Sequence, residues 1–257
     1  MSPTVLVFGF IAGATILLGL PIARLRTPSP TLRILLNAGA VGVLLFLIWD
    51  VLSHAWEPID LGLTAGSFSG SLWLLSALFV AGLVAGLLGV AIFGKRLMRR
   101  SGEADLPPRR LALMIAIGIG LHNFAEGLAI GQSASGGQLA LAGVLVVGFA
   151  LHNATEGFGI VSPLTTEADR PSWRFLLLLG AIGGGPTLIG TLLGSFCVST
   201  ELSVLFLSLA AGSIIYVVMQ LLGVLGRARR TELTAVGILV GLLAGFATDA
   251  ILTAGGA

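Results

Sequence analysis

Residues 111–161 read LALMIAIGIGLHNFAEGLAIG (111–131), then QSASGGQ (132–138), then LALAGVLVVGFALHNATEGFGIV (139–161). Each apolar run has the ~20 residues that one helix needs to cross a bilayer. The connection between them is short, polar and glycine-containing, so the two helices are expected to be antiparallel neighbours. The same pattern extends outward in both directions and predicts eight spans, at 5–23, 32–56, 72–93, 111–131, 139–161, 175–198, 202–225 and 233–252. The predicted fold is all-α, a single polytopic membrane domain over residues 1–257.

Composition agrees with that reading. Of 257 residues, 56% are hydrophobic and 10% charged, with a mean hydropathy of +1.03. A water-soluble domain carries about 25% charged residues. Many of the 37 glycines fall inside the predicted spans, where small residues let helix backbones approach closely. No basic stripe with interleaved aromatics is present, which excludes nucleic acid as a partner. Cys197 is the single cysteine, so neither an intrachain disulfide nor a multi-cysteine zinc site can form. No positive charge precedes the first apolar run, as a cleaved signal peptide would require. It is therefore read as a retained span.

The charges give an orientation. Arg24, Arg26 and Arg33 flank the first connection, and Lys95, Arg96, Arg99, Arg100, Arg109 and Arg110 the third. Arg170 and Arg174 flank the fifth, and Arg227, Arg229 and Arg230 the seventh. These are all 14 Lys and Arg residues of the chain. Cytoplasmic connections collect such residues, which puts the odd-numbered connections inside. Both termini are then on the non-cytoplasmic side of a multi-pass inner-membrane protein. The third connection, 94–110, is short and carries a Pro-Pro pair.

Most acids lie in connections or at span ends: Glu103, Asp105, Glu167, Asp169 and Glu232 on the arginine side, Glu57, Asp60 and Glu201 on the other. Asp50, Glu126, Glu156 and Asp249 lie within spans, with Glu126 and Glu156 deepest. A charged group at that depth costs ~2.5–3.5 kcal/mol on insertion scales. No Lys or Arg lies at that depth in a span to offset it. The two glutamates must be protonated, hydrated, or neutralised by a bound cation.

Two of the three histidines stand beside these glutamates. The motif LHNxxEG occurs at 121–127 and again at 151–157. Positions i and i+4 share a helix face, so His122 points with Glu126 and His152 with Glu156. On antiparallel neighbours both pairs fall near mid-bilayer, where two imidazoles and two carboxylates can converge. Imidazole with carboxylate suits Zn²⁺ and its first-row neighbours, and two carboxylates balance one dication. Asn123 and Asn153, at the edge of the same faces, could add carbonyl oxygens. Gly127 and Gly157 leave room for a neighbouring helix or an ion. The ordinary alternatives are a helix-bonding histidine and a proton-carrying glutamate, but duplication of the whole set at matching depth argues against both.

The paired HNxxEG segments on the fourth and fifth of eight spans resemble the Zrt/Irt-like (ZIP) metal transporters, as do the outside termini. The resemblance implies a metal site at His122, Glu126, His152 and Glu156, with Asn123 and Asn153 contributing to an adjacent second site. It also implies a homodimer, import of the metal, and alternating access by one helix bundle moving against another. The cargo would be Zn²⁺ or a similar dication (Cd²⁺, Fe²⁺, Co²⁺, Mn²⁺), carried as a ligand and not as a catalyst. One departure stands out. Where many members carry a glutamate before a proline in the sixth span, this chain has Gly185-Pro186, so a single strong site is expected. Pro186 within the glycine run should loosen that helix, and broken helices often line transport sites.

Asp50, His54 and Glu57 share a face at the outer end of the second span. They are either a loading site for cations or an ordinary solvated helix end with Trp56 as an interfacial anchor. Asp249, near the outer end of the last span, has no assigned partner. The expected activity is transport and not catalysis. The alternatives are an intramembrane metal-dependent hydrolase, though the chain has no HExxH pattern, and a proton-coupled carrier of another solute. A phosphate-binding loop is absent from the sequence.

Overall fold

The computed structural model describes residues 3–24, 29–66, 68–101, 107–166, 169–196 and 199–254. Cys197, Arg26, Glu103, Asp105, Glu167 and the side chains of His152, Arg99 and Arg100 lie outside what is described. Among the described residues every regular element is helical. The eight helices are α1 (Pro3–Ala14), α2 (Pro30–Thr64), α3 (Gly70–Ser101), α4 (Pro108–Ser135), α5 (Leu139–Val161), α6 (Trp173–Gly194), α7 (Thr200–Ala228) and α8 (Thr231–Ala254). With the 3₁₀ turns that extend α1, all eight are long and apolar enough to cross a membrane.

Local chemistry sets the helix starts. Ser29, Ser172 and Ser199 each accept a bond from the backbone N–H three residues on, at 3.2, 3.2 and 3.3 Å, which satisfies one of the free donors at a helix N-terminus. Pro30 and Pro108 occupy first-turn positions, where a missing N–H costs nothing.

Three spans differ most from expectation; the third continues past 93 to Ser101, so Lys95 and Arg96 lie on helix and not in the connection. The first is not one α-helix: after Ala14 it tightens into 3₁₀ turns over Thr15–Leu18 and Leu20–Arg24. The second runs on past Pro58 to Thr64, so Glu57 and Asp60 lie on helix and not in a connection.

The helices pack in two groups. In one, α4 lies along α6, with α1 and α5 against them. In the other, α2 lies along α8 and α7, and α7 along α3. The groups meet chiefly where α4 touches α7 and α2 touches α5. Glycine makes the α4–α6 contact close: a Cβ on Gly190 would come 3.0 Å from the Leu128 nitrogen, so no other residue fits there without separating the helices.

Arg24 Nη1 donates to the Pro171 carbonyl, and its guanidinium lies 4.9 Å over the Trp173 ring. Arg109 lies 5.9 Å over Phe175. These contacts join the first, third and fifth connections at one basic end of the molecule. The half nearest that end is filled by a dry apolar cluster that includes Leu44 and Leu47 of α2, Ile115 and Ile119 of α4, Ile160 of α5 and Leu221 of α7.

Candidate functional site

Both LHNxxEG motifs fall in the middle of their helices, and they meet. His122 Nε2 lies 3.2 Å from Glu126 Oε1 on its own helix and 3.8 Å from Glu156 Oε1 on α5. The three residues are 2%, 5% and 1% exposed. The i, i+4 spacing therefore places the first pair on one face as expected, and the antiparallel packing of α4 and α5 brings the second carboxylate to it. The backbone of His152 lies on α5 one turn before Glu156. Among the described residues no group of three or more His, Cys, Asp or Glu side chains is arranged around a common point at metal-binding distance. What they form is a buried trio with the imidazole between two carboxyl groups.

The two asparagines do something the motif alone does not reveal. Asn123 Nδ2 donates to Gly183 O of α6 at 3.0 Å, and Asn153 Nδ2 donates to Ala12 O of α1 at 2.8 Å. Both side chains are fully buried. Each motif thus secures a neighbouring helix. On α1 the accepting carbonyl lies just before the backbone tightens to 3₁₀ geometry after Ala14. Thr15 Oγ1 donates to the same Ala12 carbonyl at 2.6 Å. Among the described residues, Asn123 Oδ1, Asn153 Oδ1, Glu126 Oε2 and Thr187 Oγ1 are buried with no hydrogen-bond partner. Four such oxygens are unusual in one region, since buried polar atoms are almost always paired. They are acceptors available to an ion or to water.

Gly185 does not stand where a ligand would. It is half-buried, with nothing within 4 Å of the place a Cβ would occupy. α6 meets α1 and α4 through Gly183, Gly184 and Thr187, and residue 185 is turned by roughly 200° from residue 183. The polar group that α6 brings to this region is the Thr187 hydroxyl. It packs against Gly13 of α1, where a Cβ would come 3.2 Å from the Thr187 Cβ. Nothing in the sequence but its spacing from Gly183 on the glycine-rich face could have pointed to it.

A cavity of about 390 Å³ reaches His122 and Glu126 from the arginine-free end. Its walls include His122 and Glu126 at depth, Gln132 further out, and Asp50, His54, Asp249, Ser203 and Thr253 toward the mouth. Asp50 and His54 are together as expected: His54 Nδ1 donates to Asp50 O at 2.9 Å and lies 3.5 Å from Asp50 Oδ1. Glu57 is not part of this wall. α2 continues beyond it, and Glu57 projects into the exterior one turn above. Asp249, left without a role by the sequence, faces the cavity from α8. Its position inside a span was the available signal. Comparison with known protein families and with curated proteins gives no match.

Proposed function

We propose that this chain carries divalent transition-metal ions across the membrane through the His122/Glu126/Glu156 centre, in the manner of the ZIP transporters its paired motifs resemble. The observation that carries this reading is the cavity. It connects acidic residues at one face to a mid-membrane His/Glu centre, while apolar packing closes the other side. A polar site at mid-depth, reached from one side at a time, is how secondary transporters work. Imidazole and carboxylate favour Zn²⁺ over hard cations, with Cd²⁺, Fe²⁺, Co²⁺ and Mn²⁺ as competitors. His152, on the second motif, is the fourth ligand of this proposal, and Asn123 and Asn153 supply oxygens at its edge.

With the basic end in the cytoplasm, the open side is the outside and the direction is import. The family likeness adds a homodimer. The test is radiometal uptake into proteoliposomes. Wild-type protein should accumulate ⁶⁵Zn, and Glu126→Ala and Glu156→Ala should each abolish accumulation. Equal uptake by all three overturns the proposal.

One observation favours a second reading, the proton-coupled carrier: His122 within ion-pair distance of both glutamates is also what a proton relay needs. Zn²⁺ would then inhibit flux of another solute without itself accumulating.

A further inference from the structure

α3 and α4 follow one another in the chain but belong to different helix groups. α3 packs on α7 and α2, and α4 on α6, α7 and α5. In the seam between them, in the half nearer the basic end, is a cavity of about 210 Å³. It is lined by Gly89, Val90 and Phe93 of α3 and by Met114 and Ile117 of α4. Phe93 and Ile117 are 50% and 37% exposed, so the cavity opens on its lipid side. At Gly89 nothing lies within 4 Å of where a Cβ would stand, and that missing side chain is what makes the notch.

This groove cannot hold water, because every wall is apolar and it faces hydrocarbon. Flexible chain, not solvent, fills such a space. The helix ends just beyond it are strongly basic. Lys95 and Arg96 are exposed and follow Phe93 after Gly94. α3 goes on to Arg99 and Arg100, and α4 opens with Arg109 and Arg110, while neither helix carries an acid before Glu126. Arg96, seven residues beyond Gly89, returns to the same face two turns on, roughly 10 Å further along the axis, which is the geometry of an acyl chain lying below its own headgroup.

We propose that this seam is a binding site for an anionic phospholipid, with one acyl chain in the Gly89 notch and its phosphate met by Arg96, Lys95 adding to the positive charge at that end of α3. Basic pockets between spans recognise such headgroups, and Lys and Arg stems can lie along the chain while their charges reach the interface. Because the seam separates the two helix groups, the bound lipid touches both. The proposal goes beyond the transport reading and does not depend on it.

Native mass spectrometry of the full chain released from mixed micelles tests it, using phosphatidylglycerol and phosphatidylcholine of matched chains. Wild-type protein should retain phosphatidylglycerol with roughly fivefold preference or more. The double variant Lys95→Gln/Arg96→Gln should retain both lipids without preference. Gly89→Leu fills the notch and should lower retention of both. Val84→Leu, on an exposed part of α3 outside the groove, should change nothing. Equal retention of the two lipids by wild type would overturn the proposal, as would unchanged retention in Gly89→Leu. Loss of a dimer in Gly89→Leu at constant lipid count would assign the seam to a second copy of the chain and overturn it too.

Discussion

Asn153 gives its Nδ2 hydrogen to the Ala12 carbonyl, and Asn123 does the same for Gly183. Reading the motif as a ligand set predicts that Asn→Asp at either position keeps or strengthens metal binding, since a carboxylate is the better donor of electrons. The structure leads to a different expectation. Asn153→Asp keeps the oxygen but removes the donor and sets a carboxylate against a carbonyl. The loss of a buried hydrogen bond costs about 1–3 kcal/mol. We expect Asn153→Asp to bind Zn²⁺ at least as tightly by calorimetry while flux in proteoliposomes falls severalfold, and Asn123→Asp to behave alike. Flux and affinity that rise together would show the amides to be ligands alone. At this scale the His122/Glu126 pair was legible because i, i+4 spacing fixes a shared face. The destination of the asparagine N–H groups was not, because it depends on which carbonyls of α1 and α6 lie opposite. The approach of His122 to Glu156 was not legible either, because it depends on how a second helix packs.

The first span illustrates what periodicity does and does not contain at the level of elements. Hydropathy counts apolar residues, and 5–23 has enough of them, but it does not register that the backbone tightens to 3₁₀ after Ala14. The tightening occurs where the chain crosses α5. A Cβ on Gly19 would stand 2.6 Å from the Phe158 nitrogen, so two backbones meet there with nothing between them. Helix ends were misjudged for a related reason: α2 continues through Glu57, Pro58 and Asp60 to Thr64, a polar stretch that hydropathy treats as connection. The α4–α6 seam makes a stronger prediction. Gly190→Leu forces a side chain against the Phe124–Leu128 backbone and should destabilise the protein by about 1–3 kcal/mol or more. The measurement is thermal unfolding in detergent. Ile189→Leu, one residue away and exposed to lipid, should leave the midpoint unchanged.

The molecule as a whole has one half with a polar-lined cavity and one half packed with apolar side chains. Span number and the gathering of basic residues at one end could be read from sequence, because both are sums over many residues. The grouping of helices could not, since it follows from which glycine faces meet. The cavity is also a property of the whole, built from α2, α4, α5, α7 and α8. Its mouth carries Asp50 and Asp249, whose combined field should concentrate cations before they reach Glu126. Asp249→Asn should therefore raise the apparent half-saturation concentration for Zn²⁺ uptake by roughly tenfold at low ionic strength, with less effect at high salt. Glu57→Gln, outside the cavity wall, should leave it nearly unchanged. Uptake kinetics at two salt concentrations decide between the two residues.

On the proposed transport reading, the packed cluster behind Glu156 would also govern throughput. Whatever arrived from the Asp50 side would reach a dead end in this shape, so nothing would stream through. Each crossing would wait for the protein to reshape itself. The turnover number is then set by that rearrangement, and the current levels off under rising supply as a ferry's does, however crowded the near bank.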